Sequence, residues 1–181
     1  MTEKTITAKN ANDRLRELYE TAFPVEERIP WKALLRLVDE MPLDITAYYE
    51  KGDFIGFTIV YPYESYNWFW YFAVREELRG KGYGQLILSR LIAKYSDKNI
   101  ILDMESPDQA GAKNTEQRLR RHCFYSRNGF SDTHARKTFD GIEYTIMLRG
   151  EGSFTVQDYD AIINNLHRFW RPEGNKQQHL S

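Results

Sequence analysis

The segment Trp68-Phe-Trp-Tyr-Phe-Ala-Val74 is apolar or aromatic throughout, and the chain then turns through Gly80, Gly82 and Gly84. An unbroken apolar run of this length reads as a strand covered on both faces, since a strand with one wet face alternates instead. Beyond the glycines, Leu88, Leu91, Ile92 and Tyr95 recur at helical spacing, and Asn99–Glu105 is a second buried-looking strand. Strand, helix, strand in this order is a parallel crossover unit. The chain therefore belongs among α/β folds.

The other elements attach to that unit. Glu3–Ala8 reads as a strand, and Leu15, Leu18, Tyr19 and Ala22 form one helical stripe. Pro30 opens a second helix carrying Trp31, Leu34, Leu35 and Val38, which Met41-Pro42 closes. Ile45–Glu50, Phe54–Tyr63 and Tyr66–Val74 read as strands, with turns at Lys51-Gly52-Asp53 and Tyr63-Glu64-Ser65-Tyr66. Asn114 with Gln117 resembles a capping box opening a basic helix that Asn128-Gly129 stops, and Asp140-Gly141 joins two further strands. Tyr159, Ile162, Ile163, Leu166 and Trp170 mark an amphipathic C-terminal helix over about residues 154–170. The expected fold is a central mixed, mostly antiparallel sheet with one parallel βαβ crossover and helices on both faces. At 181 residues this reads as one domain, 1–170, followed by a polar, flexible tail at 171–181.

Composition narrows the function classes. A chain 41% hydrophobic and 14% aromatic is neither disordered, collagenous nor a coiled coil. Lys+Arg 25 against Asp+Glu 26 lacks the basic excess of a protein that lives on nucleic acid or anionic membrane, so neither partner is expected. Arg118, Arg120 and Arg121 read as a solvated helix face. Cys123 has no partner for an internal disulfide, the start carries no secretory signal, and no apolar run is long enough to span a bilayer. A cytoplasmic location is the expectation. His122, His134, His167 and His179 show no metal-ligand spacing, so no metal is expected.

The turn Arg79-Gly80-Lys81-Gly82-Tyr83-Gly84-Gln85 carries the strongest chemical signal. Glycines admit left-handed backbone and close approach of a ligand, and the first amides of the next helix have no internal acceptors. With the helix dipole, and with Arg79 and Lys81 beside it, such a turn suits a phosphate or pyrophosphate. A glycine-rich connection without a ligand is the alternative. A P-loop would need Ser or Thr after Lys81, where Gly82 stands, and the dinucleotide fingerprint has different spacing.

Here the chain resembles the GNAT acyl-CoA N-acyltransferase superfamily. Arg79-Gly80-Lys81-Gly82-Tyr83-Gly84, preceded by Phe72-Ala73-Val74, is similar to that family's Gln/Arg-x-x-Gly-x-Gly/Ala turn after a buried strand. Phe124-Tyr125-Ser-Arg-Asn-Gly129-Phe130 resembles its second motif, and the order of elements matches from about residue 3 to 149. The resemblance implies acetyl-CoA as co-substrate, with pantetheine along Phe72, Ala73 and Val74 and pyrophosphate on the amides from Arg79 to Gln85. It implies a thioester between Trp70–Val74 and Leu102–Ser106, where parallel strands splay, and an acceptor that is a small-molecule or peptide amine. Arg118 stands where many relatives carry Asn, and Arg118 or Arg121 could meet a cofactor phosphate.

Acyl transfer to an amine needs a neutral nucleophile and a proton for the departing thiolate. Tyr125 is the candidate acid, by resemblance, and Glu105 at the end of its strand is the candidate base or amine anchor, with Asp103 on the same face. Glu26, Arg28 and Trp70 are candidate acceptor contacts, the first two in a segment where the family forms part of its acceptor cleft. Alternation splits the aromatic strand into Trp68, Trp70 and Phe72 on one face and Phe69 and Tyr71 on the other. A silent acyl-CoA-binding module and an arginine-mediated nucleic-acid partner are the rival functions. The C-terminal helix can cover the sheet or make an oligomer contact, a homodimer included.

Overall fold

A computed structural model describes residues 1–169. Two compact units are delimited by contacts, one from Met1 to Ser96 and one from Asp97 onward. Trp170 and the tail 171–181 lie outside the described residues. Among the described residues no helix is long and apolar enough to cross a membrane.

The first unit contains β1 (Thr2–Ile6), α1 (Asp13–Ala22), α2 (Trp31–Glu40), β2 (Asp44–Glu50), β3 (Asp53–Tyr63), β4 (Tyr66–Val74) and α3 (Tyr83–Lys94). The four strands form an antiparallel meander in chain order. Lys51 and Gly52 both take positive φ, which gives the β2–β3 turn the twist that antiparallel strands require. Leu15, Leu18 and Tyr19 of α1 and Leu34 and Leu37 of α2 are buried. Tyr19 packs against Phe57 of β3 and Tyr71 of β4 at ring distances of 6.2 and 5.3 Å. The next strand positions, Phe72 and Val74, turn the other way and pack with Tyr48, Ile55 and Ile87 of α3. Helices thus cover both faces of this sheet.

The strand pair β3–β4 is tight where it approaches the glycine turn. A Cβ on Gly56 would run into the Ala73 carbonyl oxygen, so only glycine lets β3 lie this close to the end of β4. Further back, Ile59 faces Tyr71 while Val60 faces Phe69, leaving Trp70 as the extra residue of a bulge. The bulge corrects the expected alternation. Phe69 and Phe72, which strict period two would send to opposite faces, have ring centroids 5.6 Å apart.

The second unit contains β5 (Asn99–Glu105), α4 (Thr115–Arg127), β6 (Ser131–Phe139), β7 (Ile142–Arg149) and α5 (Val156–Phe169). β7 lies between β5 and β6, antiparallel to both. Asp140 and Gly141 take positive φ at the β6–β7 turn. The helix expected from Asn114 is present, but its capping box is not: the Asn114 side chain makes no cap bond. That side chain is engaged by Arg118 and Glu105 instead.

Buried tyrosines make an alkaline limit to stability. Desolvation pushes Tyr48 and Tyr125 up to about 12 and raises Tyr19, Tyr95 and Tyr159 further above the usual phenol value. A phenol whose folded value lies above its unfolded value of about 10 stabilises the fold fully below pH 10, and that contribution is lost as pH rises toward the folded value. A phenol raised from about 10 to about 12 contributes about 3 kcal/mol in this way. Chemical unfolding midpoints should hold from pH 7 to 9 and fall steeply between pH 10 and 12, together with the appearance of phenolate absorbance. A flat midpoint across that interval would contradict the burial of these rings.

Candidate active site

The turn after β4 is built from a short 3₁₀ segment, Glu76–Leu78, and two left-handed glycines, Gly80 at φ +73° and Gly82 at φ +84°. Gly82 is the N-cap of α3 and has no side chain with which to cap it. Its carbonyl accepts the Leu86 N–H at 3.1 Å, which starts the helix. Among the described residues no acceptor faces the N–H groups of Gly80, Lys81, Gly82, Tyr83 or Gly84. A Cβ on Gly80 or Gly82 would meet nothing within 4 Å, so the turn opens to solvent. Arg79 is exposed, with its Nε donating to the Val74 carbonyl at 3.2 Å, and Lys81 is exposed beside it. Unpaired amides, a helix N-terminus and two cations make an open anion cradle. The glycine turn and the helix onset lie where the sequence marks them, both being local properties of the chain.

In the second unit, Asn114, Arg118, Arg121 and Tyr125 follow one another at helical spacing along one stripe of α4. Arg118 is buried, contrary to the solvated face expected for it, and donates to four acceptors. Its Nε reaches Asn114 Oδ1 at 2.7 Å, one terminal nitrogen reaches the Ser106 carbonyl at 3.1 Å and Gln109 Oε1 at 2.8 Å, and the other reaches Glu105 Oε1 at 2.8 Å. Gln109 in turn donates to the Gly141 carbonyl at 2.6 Å and accepts the Glu143 N–H at 3.1 Å, so Arg118 ties α4 to the β6–β7 hairpin. Only Arg120 of the three arginines has the exposed setting expected, paired with Glu116.

Glu105 and Arg118, read from the sequence in separate roles, are one ion pair. The carboxylate is 16% exposed. Asn114 Nδ2 lies 3.2 Å from each of its oxygens, Arg118 holds Oε1, and Arg121 reaches Oε2 at 3.4 Å. A carboxylate offers about four lone-pair sites, and four donor contacts fill them. Tyr125 lies one turn beyond Arg121, buried edge-on against Phe124 and Phe130 at 5.3 and 5.6 Å. Desolvation pushes its phenol up to about 12; Arg121 draws it down and the charge of Asp103 pushes it up. Asp103 also faces Tyr159 of α5, whose hydroxyl hydrogen-bonds to it.

The acceptor candidates sit in the first unit. Trp70, at the bulge, is half-buried and stacks on Trp68 at 4.7 Å and on Tyr71 at 4.9 Å. The α1–α2 connection is pinned by Tyr19 to the Ile29 carbonyl at 2.9 Å and by Tyr71 to the Glu27 carbonyl at 2.7 Å. Glu26 is exposed there, whereas the Arg28 guanidinium donates to the Glu20 carbonyl near the end of α1. Among the described residues no cluster of three or more His, Cys, Asp or Glu could hold a metal ion.

Two residues of this region, Gln109 and Tyr159, carry no sequence signal of a role in it. Their partners lie on other elements, and only the Asn114-Arg118-Arg121-Tyr125 spacing could have hinted that the basic helix turns its cations inward.

The family profile described as an acetyltransferase (GNAT) domain matches residues 43–132. No curated protein matches the chain. Among solved structures, a GNAT-family protein from Bacteroides thetaiotaomicron is 24% identical, covering 92% of this chain and 96% of its own, with a TM-score of 0.75. A GNAT family acetyltransferase from Elizabethkingia anophelis with acetyl-CoA bound is 16% identical over 83% and 97% of the two chains, TM-score 0.59. An aminoglycoside 6'-N-acetyltransferase from Enterococcus faecium is 14% identical over 82% and 96%, TM-score 0.59. These likenesses are of fold, and they bear out the mixed α/β class expected of the chain.

Proposed function

This chain is a member of the GNAT acetyltransferase family, through the domain at residues 43–132, and from that premise we propose that it is an acyl-CoA-dependent N-acyltransferase. In this reading residues 1–170 act as one catalytic domain, and an acetyl group passes from acetyl-CoA to a primary amine by direct attack in a ternary complex. The observation that carries it is the open turn at 80–84, whose N–H groups have no acceptor among the described residues. A relative of the same fold with acetyl-CoA bound supports that co-substrate.

The backbone of Phe72, Ala73 and Val74 then holds the pantetheine arm, and Arg79 to Gln85 hold the pyrophosphate. The ammonium sheds one proton, toward Glu105 through water, which frees the lone pair. That pair forms the C–N bond as the C–S bond breaks, and the nitrogen's second excess proton passes to the departing thiolate, which leaves as the CoA thiol. Tyr125 donates to the sulfur as negative charge develops there. Arg118, with four protein acceptors already, serves to fix Glu105 and is withdrawn from the set of phosphate contacts. Glu26, Arg28 and Trp70 are left as acceptor contacts.

A steady-state screen of amine classes with acetyl-CoA, read by release of free CoA, tests the reading. Binding of CoA with no turnover on any amine would leave only a silent acyl-CoA module. Gly82→Ala probes the cradle itself. Its Cβ fits sterically, but φ +84° costs an L-residue about 1–2 kcal/mol and the methyl projects into the space assigned to the ligand. KM for acetyl-CoA should rise about tenfold, with the amine KM little changed. Equal KM values for both enzymes would remove the turn from cofactor binding.

A further inference from the structure

Asn114 Nδ2 lies 3.2 Å from each oxygen of Glu105, so what distinguishes the two oxygens is the arginine each accepts from. Oε1 is bound by Arg118, whose side chain is 6% exposed and committed to four acceptors. Oε2 is met by Arg121 at 3.4 Å, the longer of the two ion pairs, and the Arg121 side chain is 38% exposed. Glu105 is the one hydrogen-bond acceptor of Arg121 among the described residues. Moving Arg121 aside therefore breaks one long bond, whereas moving Arg118 would strand a buried charge and unpick α4 from the β6–β7 hairpin.

We propose that Glu105 Oε2 is the docking point for the acceptor's ammonium group, and that Arg121 occupies this point until a cationic acceptor displaces it. This rests on the reading of the chain as an N-acyltransferase with Glu105 facing the acceptor. Two guanidiniums on one carboxylate carry a net charge of +1, and exchanging one of them for an ammonium leaves that charge unchanged. An ammonium is a compact cation with three donors and fits at a single carboxylate oxygen, while a guanidinium favours a bidentate pairing that Oε1's occupation by Arg118 denies to Arg121. An uncharged acceptor gains nothing by replacing a cation at this oxygen. The acceptor class is accordingly an aliphatic primary amine, cationic at neutral pH, rather than an arylamine or an alcohol.

Isothermal titration of n-butylamine and 1,4-diaminobutane into the full-length wild type, Arg121→Met and Glu105→Gln proteins tests this. Arg121 is half-exposed, so its replacement leaves the fold intact, and that variant decides the question on its own. Removing the competing cation should tighten alkylamine binding about three- to fivefold, and Glu105→Gln should abolish it. Unchanged or weaker binding by Arg121→Met, or no alkylamine binding by either wild type or Arg121→Met, overturns the proposal. Parallel CoA-release assays separate it from the reading beneath it. Alkylamine binding with no acyl transfer to any amine would sink the N-acyltransferase reading and leave the docking point standing. Transfer to uncharged acceptors alone would do the reverse.

Discussion

Replacing Tyr125 by Phe is expected to lower kcat by about 10²-fold or more while leaving KM for acetyl-CoA within about twofold. The ring of Tyr125 is buried against Phe124 and Phe130, and phenylalanine keeps those contacts, so the fold should tolerate the change. On the proposed mechanism what is lost is the hydrogen-bond donor to the departing sulfur, and such a donor is worth far more in a desolvated site than in water. The phenol's value of about 12 shapes the rest of the expectation. The group is protonated below that value, and its donor competence is lost only as pH rises through it. Tyr125 should therefore contribute no alkaline decline in kcat between pH 7 and 10. A phenol at about 12 also holds its proton more tightly than a thiolate of about 8.5 can claim it. Stabilisation of the departing sulfur by hydrogen bonding, ahead of any full transfer, is the step this phenol can perform. Steady-state rates across that pH range check both statements. Turnover of Tyr125→Phe within twofold of wild type would falsify the donor role, and an alkaline limb that vanishes in the variant would show that the phenol titrates lower in the complex.

The largest effect on stability is expected from Arg118. Removing its guanidinium in Arg118→Met leaves Glu105 partly unpaired and takes donors from Gln109, Asn114 and the Ser106 carbonyl. Breaking a mostly buried ion pair from one side costs about 3–5 kcal/mol, because the remaining charge stays desolvated. Urea unfolding should show a loss near the lower end of that range, since Glu105 retains Arg121 and some solvent contact. Arg118→Lys should recover less than half. One ammonium cannot reach acceptors on the strand end, the following loop and the helix at once, whereas the planar fork does. The double variant with Glu105→Gln should lose less than the sum of the two single changes, the signature of direct coupling. An unaltered midpoint together with a raised KM for acetyl-CoA would instead return Arg118 to the role of phosphate contact that its position in the sequence suggested.

Much of this protein is written in short-range patterns. Strand β4 is bounded in the structure by the same residues, Tyr66 and Val74, that its composition marks, and β5 likewise runs from Asn99 to Glu105. The turns at Lys51-Gly52 and Asp140-Gly141 take the positive φ values that their residues favour. The misreadings share one cause. Strict alternation fails at Trp70 because a bulge inserts an unpaired residue, and nothing local to β4 announces it. The capping box at Asn114 is absent because Arg118 and Glu105 claim that side chain first. Arg118 is inside because three elements converge on it, a fact that a helical stripe of charges cannot display.

The elements, their turns and the open glycine bend are legible from the residues alone. Each depends on backbone preference and hydrophobic period over a few residues. Which charges pair is settled by the fold alone: Glu105 accepts from Asn114, Arg118 and Arg121, and the Arg118 side chain is buried while that of Arg121 is half-exposed. Desolvation and hydrogen-bond geometry act between groups far apart in the chain, so arginines of one helix can be buried, half-exposed or solvated according to what folds against them.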